Sequence, residues 1–215
     1  MIKAIIFDAE DLIYYRDKET LKPIIDFFKQ KGIIIDAEQF KAALDKFKLD
    51  AYKNKISKDE HLRKTLEILK TDFDEKLYHG FVNIFRERYS DFKVNKDIRR
   101  IFKKIKSQNI KIAILTDTFA TEEKKWEWFR SIKLAEFIDV IACSCIIGHT
   151  KDEKEAYEAV LKKLNLNANE AMFVGHKEYE MKGAKEAGIR SVSLEKEMGE
   201  DCYIKNISGV LNLIK

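Results

Sequence analysis

Hydrophobic residues in the second half of the chain follow two alternating spacings. Short apolar runs rich in β-branched residues, typical of buried parallel strands, occur at residues 110–116, 137–143, 171–175 and 191–194. Amphipathic segments with helical spacing lie between and after them, at about residues 95–108, 121–132, 152–165, 179–188 and 207–214. This alternation predicts an α/β fold, a Rossmann-like parallel sheet with helices on both faces.

A helical insertion, instead of a short crossover helix, follows the first strand. Residues 2–7 form an apolar run of the same kind, and helical periodicity then covers about residues 18–31, 36–49, 57–70 and 73–90. Asp36 and Ser57 are predicted helix N-caps, and Ser57 with Glu60 matches a capping box.

This pattern predicts two parts, a core of residues 1–14 and 95–215 and an α-helical cap of residues 15–94. A cap attached after the first strand would lie over the carboxyl ends of the strands, where α/β sheets bind ligands. In that position it would exclude water from the ligand.

Composition narrows the class of protein. Of the 215 residues, 45% are hydrophobic, and no apolar run reaches the roughly 18 residues that a bilayer requires. The N-terminal run ends in acids with no small-residue cleavage site, so we expect no signal peptide, no membrane association and a cytoplasmic protein. The net charge of +4 is spread over interspersed basic and acidic residues, which argues against nucleic acid as a partner. The cysteines are expected to be buried structural residues: Cys143, Cys145 and Cys202.

The first strand ends in a pair of carboxylates. In the segment IIFDAED, Asp8 lies at the carboxyl-terminal tip of the strand and Glu10 projects to the same side two residues later. Paired carboxylates suit nucleophilic attack with acid/base help, because one forms a covalent ester while the other protonates the leaving group and later activates water. A turn or capping role is the structural alternative for both acids.

Three later segments carry groups that bind anions or metals. Thr116 and Asp117 end the strand in KIAILTDT, where a hydroxyl can hydrogen-bond a phosphate oxygen. Lys151 precedes a predicted helix, and both its charge and the helix N-terminus attract a negative ligand. After the strand that ends at Gly175, acids such as Glu180 offer the oxygen ligands that Mg²⁺ prefers.

In this order the segments resemble the four motifs of the haloacid dehalogenase superfamily: D-x-D-G-T after the first strand, Thr or Ser ending the second, Lys before a helix, and a V-G-D loop that leads to G-A. The helical insertion resembles the C1-type cap of that family, so the likeness spans nearly the whole chain. It implies a Mg²⁺-dependent phosphatase, monomeric or homodimeric, that acts on a small phosphorylated metabolite through an aspartyl-phosphate. The implied roles are nucleophile for Asp8, acid/base for Glu10, phosphate binding for Thr116, Asp117 and Lys151, and metal binding for Asp8, Glu10, His176 and Glu180.

Three positions depart from the family pattern. Glu10 replaces an Asp, Asp11-Leu12 replaces Gly-Thr, and His176 replaces the first Asp of the fourth motif. Because a neutral imidazole adds no charge to a Mg²⁺ site, Mn²⁺ is an alternative cofactor. Two other functions stay open: a catalytically degenerate member that binds without turnover, and a metal-independent 2-haloacid dehalogenase, which the sequence FDA in the first motif also fits.

Overall fold

The chain forms two compact units, Met1–Tyr15 with Val94–Lys215 and Arg16–Lys93. The structure, a computed structural model, describes residues 1–15, 21–70, 72–87, 92–198 and 201–214. Each unit has its own hydrophobic core. No helix within the described ranges combines the length and the apolar character that a membrane span requires.

The strands among the described residues are, in chain order, β1 (Ala4–Phe7), β2 (Tyr14–Tyr15), β3 (Lys93–Val94), β4 (Lys111–Thr116), β5 (Val140–Cys143), β6 (Ala171–Gly175), β7 (Arg190–Leu194) and β8 (Cys202–Ile204). β2 and β3 form a separate two-stranded sheet, and the other six form one parallel sheet. The sheet has the order β5-β4-β1-β6-β7-β8. β1 is apolar and buried at every position, as expected for a central parallel strand. Chain order proceeds outward from β1 in both directions, so the ends of β4, β1 and β6 lie at the switch point where such sheets bind ligands.

The helices of the second unit are α1 (Lys22–Gln30), α2 (Ala37–Lys46), α3 (Lys48–Tyr52), α4 (Lys58–Ile68) and α5 (Glu75–Glu87). The first unit contains α6 (Ile98–Lys106), α7 (Glu122–Ser131), α8 (Ser144–Ile147), α9 (Lys154–Leu164) and α10 (Glu178–Glu186), and its helices cover both faces of the sheet. Consecutive strand residues face opposite sides of a sheet. Ile6 packs in one cluster with Tyr157 of α9 and Met181 of α10. On the opposite face, the ring centroid of Phe7 lies 5.2 Å from that of Phe102 in α6.

Several element boundaries differ from the prediction. The predicted strand 137–143 is too long, because a 3₁₀ turn ends at Phe137 and β5 begins at Val140. β8 was not predicted, since three residues are too few to show a periodicity. The last predicted helix is a 3₁₀ helix, Ile207–Asn212. Of the three cysteines only Cys143 is fully buried, and the other two are half-buried.

Two helices of the second unit begin at predicted caps. The Asp36 carboxylate accepts hydrogen bonds of 2.9 Å from two backbone N–H groups of α2, and the Ser57 hydroxyl accepts one of 3.0 Å from the Glu60 N–H. The Glu60 carboxylate lies 3.4 Å from Lys64 Nζ instead of completing the predicted capping box. The predicted helix 36–49 is divided at Phe47 into α2 and α3.

Gly183 lets α10 approach the loop that carries Lys151. A Cβ atom at position 183 would lie 2.2 Å from the Lys151 carbonyl oxygen and 2.9 Å from the Tyr157 ring. A backbone carbonyl and a buried ring can move away only at the expense of other contacts. The absence of a side chain at position 183 is therefore part of what fixes the Lys151 backbone.

We predict that Gly183→Ala lowers the free energy of unfolding by about 2–3 kcal/mol, the penalty of overpacking. This loss outweighs the gain of roughly 1 kcal/mol in helix propensity that alanine offers over glycine. Urea unfolding followed by circular dichroism measures the change. Lys182→Ala is the matched control on the same helix, because the Lys182 side chain is 74% exposed. Equal stability of the Gly183→Ala variant and the wild type would contradict the close packing.

Candidate active site

Asp8 is the carboxylate at the centre of the site. It follows β1 directly, and its backbone N–H donates to the Val174 carbonyl at 3.0 Å, so its position is fixed by pairing with β6. Its side chain is only 3% exposed. The apolar strand therefore delivers one ionisable group to the carboxyl end of the sheet, as the sequence predicts.

Lys151 joins two buried carboxylates. Its Nζ donates to Asp8 Oδ1 and, at 2.5 Å, to Glu180 Oε1. All three side chains are at most 3% exposed. Burial disfavours the ammonium, but the charges of Asp8 and Glu180 raise the pKa of Lys151 well above its usual range. The lysine is therefore an ammonium at neutral pH.

Glu180 is a structural as well as an electrostatic partner. Its Oε2 accepts hydrogen bonds from the backbone N–H groups of His176, at 3.0 Å, and Lys177, at 3.2 Å, which lie just before α10. A Cβ atom at position 175 would lie 2.6 Å from the same oxygen. Gly175 therefore leaves room for Glu180 and for the side chains of Phe173 and Met181, which would lie 2.5 Å and 2.8 Å from the same Cβ atom.

His176 lies between two carboxylates. Its Nδ1 is 3.2 Å from Asp8 Oδ2, and its Nε2 is 3.1 Å from Asp11 Oδ2. These are charge contacts, because among the described residues Asp8 Oδ2 and both ring nitrogens have no partner with hydrogen-bond alignment. Burial lowers the pKa of His176, but the contacts with Asp11 and Asp8 outweigh it and raise the pKa to about 9. The imidazole is therefore a cation at neutral pH.

The same contacts keep Asp8 ionised. Burial alone would raise the pKa of Asp8, but the charge of Lys151 and the contact with His176 hold it well below its usual range. Asp117 differs, since burial raises its pKa to about 6 against the opposing charge of Lys151. An ionised carboxylate with a depressed pKa and a neighbouring acid with a raised one is an arrangement typical of catalytic sites.

The remaining residues predicted for the site are Thr116, Asp117 and Glu10, and each has a different place in the fold. Thr116 is buried at the end of β4, beside β1 in the sheet. Asp117 Oδ1 accepts a 3.2 Å hydrogen bond from the Lys151 N–H and so holds the lysine loop. Glu10 is half-buried and its backbone bridges to Tyr14, but it does not belong to the group of converging metal donors found among the described residues.

Two residues that contact the site, Tyr157 and Asp11, were not among the site residues predicted from the sequence, although Asp11 was noted as a departure from the family motif. The Tyr157 hydroxyl lies 3.0 Å from the Lys151 carbonyl and 2.7 Å from the Glu180 carbonyl, and it donates its single proton to this pair. In the sequence, the position of Tyr157 indicates only that it lies on the apolar face of a helix. Asp11 has φ 64°, the left-handed region in which the family motif has glycine, and its carboxylate contacts His176.

Asp8, His176 and Glu180 each offer one donor atom within 4.8 Å of the others, a group that can surround a metal ion. Mg²⁺ prefers oxygen ligands and a site of net negative charge. Here the charge of Lys151 offsets one of the two negative charges of Asp8 and Glu180, the second Glu180 oxygen accepts two backbone N–H groups, and the third donor is an imidazole held between carboxylates. This donor set does not fit Mg²⁺.

The raised pKa of His176 predicts a pH dependence of stability. Because its folded pKa, about 9, lies above 6.5, the stabilisation is complete below pH 6.5 and is lost as pH rises toward about 9. We expect the free energy of unfolding in the presence of EDTA to fall by on the order of 2 kcal/mol over this range, and to fall less in His176→Asn. His79→Asn, at an exposed position, is the control, and an identical pH slope in His176→Asn would contradict the contact with Asp8.

Comparison with known proteins identifies the family of the chain. A sequence model of haloacid dehalogenase-like hydrolases matches residues 2–188. The chain is 24% identical to the glyceraldehyde 3-phosphate phosphatase of Methanocaldococcus jannaschii, with 100% of this chain and 98% of the relative aligned. It is 23% identical to the phosphorylated carbohydrates phosphatase of Thermotoga maritima, over 77% of this chain and 82% of the relative.

Solved structures share the fold. The 2-haloacid dehalogenase of Pseudomonas syringae pv. Tomato DC3000 superimposes with a TM-score of 0.74 at 18% identity, over 100% of this chain and 98% of that structure. CbbY of Rhodobacter sphaeroides in complex with phosphate gives 0.69 at 18% identity, over 98% and 96% of the two chains. Since the family model covers most of its length, the chain belongs to the haloacid dehalogenase-like hydrolases.

Proposed function

We propose that this hydrolase is a phosphatase that cleaves a small phosphorylated metabolite through an aspartyl-phosphate on Asp8. The observation that carries the proposal is the buried contact between Lys151 Nζ and Asp8 Oδ1 at the switch point of the sheet. An ionised nucleophile beside a fixed cation is what attack on an anionic phosphoryl group requires, since the cation offsets the repulsion between nucleophile and substrate.

The proposed reaction has two steps. An Asp8 carboxylate oxygen attacks phosphorus and forms a P–O bond, while the bond from phosphorus to the substrate oxygen breaks and that oxygen takes a proton from Glu10. A water molecule then attacks the phosphorus of the aspartyl-phosphate and returns its proton to Glu10, which releases inorganic phosphate and the Asp8 carboxylate. Lys151 lies beside Asp8 throughout, so its charge stabilises the transition states of both steps.

Thr116 and Asp117 have supporting roles in this proposal. The position of Thr116 at the end of β4, next to β1, suits a hydroxyl that donates to a phosphoryl oxygen. The hydrogen bond from the Lys151 N–H to Asp117 Oδ1 suits a group that fixes the lysine loop. We assign no step to a metal ion, because the donor set does not fit Mg²⁺ and Mn²⁺ prefers the same hard oxygen ligands.

The helical unit Arg16–Lys93 is proposed to act as the cap that selects the substrate. Its insertion directly after the segment with Asp8 supports this role, as does its content of lysine and aromatic residues, which suits a small anionic metabolite. The two curated relatives are named as phosphatases, one of glyceraldehyde 3-phosphate and one of phosphorylated carbohydrates. A phosphorylated carbohydrate is therefore the substrate class to test first.

We predict that Asp8→Asn lowers kcat for p-nitrophenyl phosphate and glyceraldehyde 3-phosphate by at least about 1000-fold, because an amide cannot form the acyl phosphate. Phosphate release gives the rate, and mass spectrometry of acid-quenched protein detects one added phosphoryl group in the wild type alone. Asp97→Asn is the matched control, since its side chain is 46% exposed and only weakly paired.

Two results would contradict the phosphatase proposal. No phosphate release from either compound, with or without divalent metals, would favour a member of the family that binds without turnover. Chloride release from 2-chloropropionate, in the absence of phosphate release, would instead indicate a metal-independent dehalogenase. That second reaction is worth testing because Lys151 and His176 supply positive charge at Asp8 without any metal ion.

A further inference from the structure

Two segments of the first unit carry groups proposed to bind the phosphoryl group, and both lie beyond the last paired residues of their strands. The loop after β4, residues 117–121, follows Thr116, and the segment between β5 and α9, residues 144–153, contains Lys151. The paired register of β4 and β5 ends at Thr116 and Cys143. Beyond that pair, hydrogen bonds from side chains connect the two segments.

Ser144 makes two of these connections with one hydroxyl group. Its side chain is fully buried, its Oγ accepts a 2.9 Å hydrogen bond from the Thr118 N–H, and its hydroxyl donates to the Thr118 carbonyl at 3.4 Å. A serine hydroxyl has one hydrogen to donate and two lone pairs that accept, so one side chain can satisfy both backbone groups of Thr118. Because backbone groups shielded from water require such partners, this contact fixes the orientation of the loop.

Two further hydrogen bonds connect the same segments on either side of this contact. The Asp117 carboxylate accepts from the Lys151 N–H at 3.2 Å, and the Cys145 thiol donates to the Ala120 carbonyl at 3.3 Å. Attachment at three positions of one short loop prevents its rotation about any single position. The contact with Ser144 is the central attachment and the shortest of the three.

The position of the Thr116 hydroxyl depends on this attached loop. Thr116 is buried and directly precedes the loop, at the end of the strand that lies next to β1. A rotation of the loop backbone would alter the course of the chain at Thr116 and displace its hydroxyl relative to Asp8 and Lys151. A displacement of about 1 Å, caused by a substitution away from the reacting atoms, can lower a rate by about 100-fold.

We propose that Ser144 is a positioning residue for phosphoryl transfer, which holds the loop after β4 so that Thr116 and Lys151 present their donor groups to the same phosphoryl group. The inference rests on the proposed phosphatase function and adds to it a residue that acts through the backbone of Thr118. In this role Ser144 exchanges no proton with the substrate and carries no charge. Its contribution is the geometry of groups that other residues supply.

Removal of the Ser144 hydroxyl tests this role. We expect Ser144→Ala to lower kcat for p-nitrophenyl phosphate about 10-fold while KM changes less than about threefold, because the direction of the Thr116 hydroxyl matters most where charge develops in the transition state. Ser144→Cys keeps a weaker donor and acceptor at the same position. Its kcat, measured with a reductant present, is therefore expected to lie between those of Ser144→Ala and the wild type.

Ser191→Ala is the matched control for a loss of stability alone. Ser191 is also buried, and its hydroxyl donates to the Asp201 carboxylate at 3.1 Å and accepts from the Asp201 N–H at 3.3 Å. It lies near the start of β7, away from the carboxyl ends of the strands. We expect Ser191→Ala to lower the thermal unfolding midpoint about as much as Ser144→Ala but to leave kcat within about twofold of the wild type.

Amide hydrogen exchange, followed by mass spectrometry, tests the attachment of the loop without any turnover. Residues 117–121 are expected to exchange faster in Ser144→Ala than in the wild type, because loss of the attachment favours local opening. In Ser191→Ala the same residues are expected to exchange at the rate of the wild type.

The outcomes separate this inference from the proposed function. A kcat equal to that of the wild type in Ser144→Ala, unchanged exchange of residues 117–121, or an equal fall of kcat in Ser191→Ala overturns the positioning role while the phosphatase proposal stands. If the wild type releases phosphate from neither p-nitrophenyl phosphate nor glyceraldehyde 3-phosphate, both proposals fail. If circular dichroism shows that Ser144→Ala does not fold, Ser144→Cys decides, and an unchanged kcat in that variant overturns the inference.

Discussion

The contact of one buried ammonium with two buried carboxylates is the constraint on which the site depends. Lys151 comes from the loop before α9, Asp8 from the end of β1 and Glu180 from the first turn of α10, so three separate segments must be in register before any of these charges is neutralised. Removing one partner of such a group leaves a buried charge uncompensated, which costs about 3–5 kcal/mol. The lysine loop is accordingly held from several sides, by Asp117, by the Tyr157 hydroxyl and by the close approach of Gly183.

The sequence was sufficient to predict the parallel sheet with helices on both faces, the positions of Asp8 and Thr116 at strand ends, and the position of Lys151 before a helix. These features depend on local periodicity and on the rule that parallel strands end at the same edge of a sheet. The contact of His176 with Asp11 could not be predicted from the sequence, because the two residues are far apart in the chain. In addition, Asp11 has a left-handed conformation at a position where the motif has glycine. The order of β1 between β4 and β6 likewise comes from tertiary packing.

Charge at this site is distributed differently from the arrangement that the family motifs imply. Where the fourth motif has an aspartate, which would contribute a negative charge, this chain has a residue that is cationic at neutral pH. Exchange of an anion for a cation at one position changes the local charge by two units, and Lys151 with His176 then offsets two of the three negative charges of Asp8, Asp11 and Glu180. Membership of the family therefore establishes the scaffold, whereas the way in which charge is compensated has to be determined from the individual side chains.

The room that Gly175 provides for Glu180 has an evolutionary consequence. Glutamate is one methylene longer than aspartate, and its Oε2 would come within 2.6 Å of any Cβ atom at position 175. The same Cβ atom would lie 2.5 Å from the Phe173 ring and 2.8 Å from the end of the Met181 side chain. Replacement of the glycine by alanine would thus require all three neighbouring side chains to move or to become shorter. Among descendants of this protein we expect glycine to be retained at position 175 wherever these three side chains are retained.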